Sequence, residues 1–289
     1  MRHHAAALTG GPAAPAAVAD GASARPIVFS TADAERWAAF SGDRNPIHFD
    51  IEQARLLEAD RLVVHGMVAL FPIRQRIAQG RAPVAGESWQ RLRVMFRLPV
   101  PRDTEVALAV KEDGSALRFG LRPAGAAQDH IRAQYAPDRG PPAMSWGPPA
   151  PVPHQRVDAF VARYGAALPA WMALEAAVFA ELVQSDIDPI WEIVQRHAEA
   201  AWGELAERPM VVHSSHTVWH PTQSELQASA ARFAPGTVAY AVGPVAVDAV
   251  PTGVRKSLSC RIPLIVTVAG ECALQIEVGL LVIEAPGER

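Results

Sequence analysis

Cysteine is scarce in this chain. Only Cys260 and Cys272 occur, both in a strand-rich stretch, and their spacing makes neither a disulfide framework nor a metal site; two half-buried thiols in a reducing compartment are the expectation. Long apolar runs are also missing, so a helical membrane span is not expected. Neither charge dominates: Lys and Arg number 27 against 30 Asp and Glu, a formal net charge of −3 that gives no bulk attraction to nucleic acid. Aromatic residues reach only 7%, yet hydrophobic residues make up 49% and charged residues 20%, the balance of a folded globular chain and not of a disordered one. Near the start, Gly10, Gly11 and Pro12 interrupt the Ala-rich run before a secretory apolar core forms. Residues 1–26 are therefore expected to be a disordered tail, and the location cytoplasmic.

Proline is plentiful where the chain divides. The segment APDRGPPAMSWGPPAPVPHQ (136–155) favours an extended connector, so a linker over 136–156 is expected between halves at 27–135 and 157–285. Each half reads as helices followed by strands. In the first, Ser30 with Asp33 has the pattern of a helix cap, Asp50 with Gln53 heads a second short helix, and a third helix starts near Gly66, where Pro72 should kink or shorten it. From Trp89 the period becomes two: Leu92, Val94, Phe96 and Leu98 share one face, Arg91, Arg93 and Arg97 the other. In the second half, ALPAWMALEAAVFAELVQ (167–184) is apolar nearly all round, which marks a buried helix. Asp188 is placed to cap a following helix from Pro189, and strands resume at VVHSSHTVWH (211–220), TVAYAVGPVAV (237–247), VRKSLSCRI (254–262), LIVTVAG (264–270) and ALQIEVGLLVIEA (273–285). A buried helix followed by an antiparallel sheet, twice over, is an α+β class.

The chemistry concentrates in GDRNPIH (42–48), with VVHGM (63–67) soon after. Pro46 forces Asn45 out of helical geometry, so the segment must turn. Asp43 and His48 then lie close enough to converge, while Asn45 bonds locally and holds the turn. A carboxylate and an imidazole in one volume can divide proton removal and delivery between them.

The phrases SGDRNPIH, HGM and FRLPVPRDT (96–104) together resemble the MaoC-like dehydratases, which include the (R)-specific enoyl-CoA hydratases, over roughly residues 27–135. The resemblance implies a hotdog fold, a helix wrapped by a curved antiparallel sheet. It implies that Asp43 and His48 activate one water for addition to a 2-enoyl thioester, with the Gly66 amide receiving the thioester oxygen. Ser41, Asn45, His65 and Met67 match the motif and are expected around the substrate. No metal or redox cofactor is implied, and the partner is an acyl-CoA or acyl carrier protein thioester. Three features depart from the family pattern: Pro72 in the central helix, Arg102 in place of a turn glycine, and Val68, Leu70 and Phe71 in place of small or hydroxyl residues.

The second half lacks the motif. Its helix LPAWMALEAA (168–177) places Glu175 where related hotdog dehydratases carry a catalytic glutamate, but no histidine lies at the right spacing upstream, so Glu175 reads as a structural polar group. The expected architecture is a double hotdog, two antiparallel sheets each wrapping a central helix, in which the halves pair within one chain; a homodimer of such chains is one assembly left open by the sequence. His213, His216 and His220 cannot all share a face of a regular strand, so they read as exposed strand positions, not as metal ligands. Arg93 and Arg97 are candidates for coenzyme A phosphates or an acidic carrier protein. The expected activity is a hydro-lyase, with a hotdog thioesterase or cyclase, or a non-catalytic acyl-binding subunit, as alternatives.

Overall fold

In the computed structural model the described residues are 26–80, 88–164, 168–184, 189–205, 208–222, 226, 233–252 and 255–284. The opening residues 1–25 and the expected cap Asp188 lie outside them. The first half contributes β1 (Ile27–Val28), α1 (Thr31–Ser41), α2 (Ile51–Arg55), α3 (Gly66–Ala69), α4 (Phe71–Ala78), and strands β2 (Trp89–Phe96), β3 (Glu105–Asp113), β4 (Ala116–Pro123) and β5 (Ile131–Asp138). The second contributes β6 (Ala150–Pro151), α5 (His154–Tyr164), α6 (Ala170–Val183), α7 (Pro189–Trp202), and strands β7 (Met210–Pro221), β8 (Val238–Val242), β9 (Ala246–Thr252), β10 (Arg255–Val268) and β11 (Glu271–Ile283).

Local chemistry sets the helix starts. Ser30 and Asp33 form a reciprocal capping box on α1, and the Asp50 side chain caps α2. The third helix breaks as Pro72 requires. Proline has no N–H to donate back, so α3 closes at Leu70 and α4 restarts with Pro72 in its first turn. Helix α6 is buried on every side, including Glu175, whereas α5, which falls partly in the expected connector, buries Val157 and Phe160. The end of that Pro-rich stretch is not a free spacer: Ala150 and Pro151 pair with Tyr240 and Ala239 of β8.

The two expected sheets are joined into one of 11 strands, in the order β1-β3-β4-β5-β2-β7-β11-β10-β8-β6, with β9 also on β10. The halves repeat one topology: the first strand after the helices (β2 or β7) pairs with the last (β5 or β11). The seam between them is β2 against β7, antiparallel from Trp89↔Pro221 to Met95↔Ser215. The arrangement is a double hotdog, and one continuous hydrophobic core runs through both halves. Two strand expectations need correction. TVAYAVGPVAV divides into β8 and β9 around Gly243 and Pro244, while VRKSLSCRI and LIVTVAG are one strand that runs through Pro263. Pro263 is tolerated because it sits where β9 has ended and β8 has yet to begin, so its missing donor removes no bond to either.

A buried ionic cluster crosses between the halves. Arg74 of α4 donates from Nη2 to Glu175 Oε1 of α6 (2.6 Å), and His216 Nε2 of β7 meets the same oxygen at 2.8 Å. All three side chains are inaccessible to solvent. Arg74 Nη1 also donates to the Met67 carbonyl at 3.0 Å, which ties the cluster to α3. Burial by itself would raise the Glu175 pKa, but the Arg74 charge and the bonds from His216 and Arg74 outweigh it and hold the carboxyl below its ordinary range. Removing one partner strands the other charge away from water. Glu175→Ala is therefore expected to lower unfolding stability by about 3–5 kcal/mol in urea titration, and Arg74→Met in the same chain should recover part of that loss.

Candidate active site

The SGDRNPIH segment folds as its residues dictate. Ser41 Oγ donates to the Trp37 carbonyl (2.9 Å) and accepts from the Asp43 amide (3.1 Å). Gly42 turns the chain out of α1 at φ 76°, with its N–H on the Ala38 carbonyl, a left-handed position that suits glycine. Asn45 caps a short 3-10 turn, Pro46–His48, through Oδ1 and the Ile47 amide. Its Nδ2 donates to the Val211 carbonyl at 2.8 Å, so the bend is also held by the second half.

Asp43, His48 and His65 each present an atom within 4.8 Å of the others. His48 Nδ1 lies 2.9 Å from the Val63 carbonyl. A carbonyl only accepts, so Nδ1 carries the proton and Nε2 keeps a free lone pair. Burial first, then repulsion from His65, takes the His48 pKa down to about 3, against the opposing pull of Asp43. His65 donates from Nε2 to the Asp43 carbonyl at 3.1 Å and is itself lowered to about 4, chiefly by burial. Both rings are neutral near pH 7. They stack at 3.7 Å with planes 28° apart; lone pairs in near-parallel rings run side by side and do not meet at one point, which disfavours a shared metal ion.

A cavity of about 1010 Å³ opens beside the pair and is walled by both halves. Asp43, Asn45, His48, Gly66, Met67 and Arg97 line it. The other candidates stand elsewhere. Ser41 is fully buried and turned to the α1 backbone. His65 lies behind His48 as a brace. Arg93 is exposed on the far face of β2 and does not line the cavity. Arg102 has a positioning role, donating from Nη1 to the His48 carbonyl at 3.1 Å; the left-handed residue of its turn is Asp103, at φ 54°, so the position that favours glycine is 103.

The histidines of β7 correct the sequence reading most. His216 and His220 are fully buried, because their face of β7 packs against α6, His216 on Glu175 and His220 on Trp171. A bulge carries His213 to the His216 face: Ser215 pairs with Gly279 but His213 pairs with Leu280, leaving Ser214 as the extra residue. His213 thus joins the cavity wall with Phe96 and Phe179. The one available signal was Gly279, a strand glycine of the kind that accompanies bulges. His220 is bonded to Tyr135 Oη at 3.1 Å and stacks on Trp171.

The profile of the MaoC like domain matches residues 15–132. The first half is similar to a MaoC-like domain. Over 92 residues the chain is 38% identical to the mitochondrial 3-hydroxyacyl-[acyl-carrier-protein] dehydratase of Arabidopsis thaliana, an alignment covering 29% of this chain and 52% of that protein. The chain spans about half the length of that curated relative. Among solved structures, a MaoC-like dehydratase superposes over 90% of this chain and 96% of its own at 10% identity, TM-score 0.46. A conserved hypothetical protein of Mycobacterium tuberculosis with a double hotdog fold covers 89% and 93% at 12% identity, TM-score 0.40. Among the described residues of this chain, no helix is long and apolar enough to cross a membrane.

The buried histidines impose a pH dependence on stability. His48, His65 and His220 have folded pKa values of about 3, 4 and 4, all lowered from 6.5. Between those values and 6.5 the unfolded chain binds more protons, so stability is complete above pH 6.5 and falls as pH drops towards 3. Urea midpoints measured from pH 8 to pH 4 are expected to be level above 6.5 and to fall steeply below it, and His48→Gln should flatten that fall.

Proposed function

We propose that this chain is a hydro-lyase that adds water to a trans-2-enoyl thioester or, in reverse, dehydrates the (R)-3-hydroxyacyl thioester. The observation that carries the proposal is the fixed tautomer of His48 beside Asp43 at the cavity wall. A neutral imidazole with Nε2 free is a proton acceptor ready at neutral pH, and the adjacent carboxylate orients the water between them. As the water oxygen bonds to C3, His48 takes one of its protons. The resulting imidazolium returns a proton to C2 on the same face, so the pair ends as it began and the reverse reaction uses the same groups. Negative charge that builds on the thioester oxygen is received at the start of α3, where Gly66 lines the cavity and the first helical amides have no partner within the helix.

The cavity suits a thioester on a long arm. Leu56, Leu57, Phe179, Val183, Leu280 and Leu281 supply apolar wall, and Arg44, Arg97 and Arg208 also line it, a charge set compatible with the phosphates of coenzyme A or phosphopantetheine. The family match and the 3-hydroxyacyl-thioester dehydratase among its relatives support the same reaction class.

Turnover of crotonyl-CoA, followed as loss of enoyl-thioester absorbance, tests the reading. Asp43→Asn and His48→Ala are each expected to lower kcat by about 10²–10⁴-fold with the protein still folded. Equal rates in all three proteins would remove the assignment, and release of free thiol would redirect it to hydrolysis.

A further inference from the structure

The second half brings a group of its own to the reacting end of the cavity. The bulge at Ser214 turns the His213 ring inward, against Phe96 at 4.5 Å and stacked on Phe179 at 5.4 Å between centroids. It lies hard against the start of α3: a Cβ added to Gly66 would come within 2.9 Å of His213 Nδ1 and 3.2 Å of Phe96. Both ring nitrogens are buried, and neither has a well-formed hydrogen bond among the described residues. Burying a polar ring without partners is unfavourable unless something else engages it. Behind it, the edge of His216 faces the ring at 5.2 Å, and His216 is itself fixed by Glu175.

We propose that His213 is a second donor to the thioester oxygen, completing with the Gly66 amide the site that receives the charge formed there. The inference rests on the hydro-lyase reading and extends it to a named residue of the half that lacks the motif. Geometry selects this role over water activation. Asp43 and His48 sit together on the 42–48 bend and serve C3, whereas His213 adjoins Gly66, where the carbonyl must lie. Burial, with repulsion from His216 and Arg74 opposed by the Ser215 backbone, holds His213 well below the ordinary imidazole pKa. The ring is therefore neutral and carries one N–H. No covalent step is assigned to it: the N–H strengthens its bond as the oxygen becomes enolate-like and relaxes when C2 is protonated.

His213→Phe keeps a ring between Phe96 and Phe179 but has no donor, while His213→Asn replaces the ring with an amide near the Nδ1 position. With crotonyl-CoA, His213→Phe is expected to lose about 10²-fold in kcat, and Asn is expected to restore part of it. The second readout is infrared. In the Asp43→Asn background, where turnover is slowed enough to record the bound state, the C=O stretch of the carbonyl-labelled enoyl thioester is expected at lower frequency when His213 is present than when His213→Phe is added. Wild-type turnover with an unchanged rate and stretch in His213→Phe would overturn the inference while leaving the reaction class standing. A lower rate with an unchanged stretch would also overturn it, by assigning the residue to packing. Absence of wild-type turnover on crotonyl-CoA and on a longer enoyl-CoA would fell the hydro-lyase reading and this inference with it.

Discussion

A carboxylate without any access to solvent sits between the two halves, and much of the molecule is arranged so that it is never left unpaired. Glu175 belongs to α6, Arg74 to α4 and His216 to β7. Taking such a charge out of water is unfavourable by several kcal/mol unless good geometry repays it. The repayment requires both halves to be in register. Through Arg74 the cluster also holds the Met67 carbonyl, and through His216 it fixes the strand that carries His213. One ionic contact thereby sets both sides of the cavity in the region where α3 begins.

Loss of the motif from the second half has not made that half a passive cover. Val211 accepts the Asn45 side chain that holds the 42–48 bend. Phe179, Val183 and the first residues of β7, Met210 to Ser214, form a wall that a lone hotdog domain would lack. The division of labour follows from topology. Antiparallel joining of β2 and β7 brings the N-terminal end of β7 past the end of β2 at Phe96, next to α3.

What the sequence revealed was what is decided locally. The Ser30 cap, the proline break in the third helix and the bend from Gly42 to His48 all depend on residues within a few positions of one another, and the order SGDRNPIH states that chemistry almost directly. The all-round apolarity of α6 likewise announced its burial. The partners of Glu175 were hidden because they come from α4 and β7, and nothing in the local pattern of FPIRQRIA marks Arg74 as a core residue. His213 escaped because a one-residue bulge inverts facing, and periodicity counted through VVHSSHTVWH assumes there is none. Proline counting misled twice: it suggested a free spacer where Ala150–Pro151 forms a strand, and a strand end where Pro263 merely faces a gap between neighbours.

The β2–β7 seam has a final implication for assembly. An unpaired strand edge is a template on which another polypeptide can add by backbone bonding. Here the inner edges of both halves are consumed by each other. A further copy could not enlarge this scaffold through that border without first prising it apart, so any oligomer of the intact chain must adhere through a different surface.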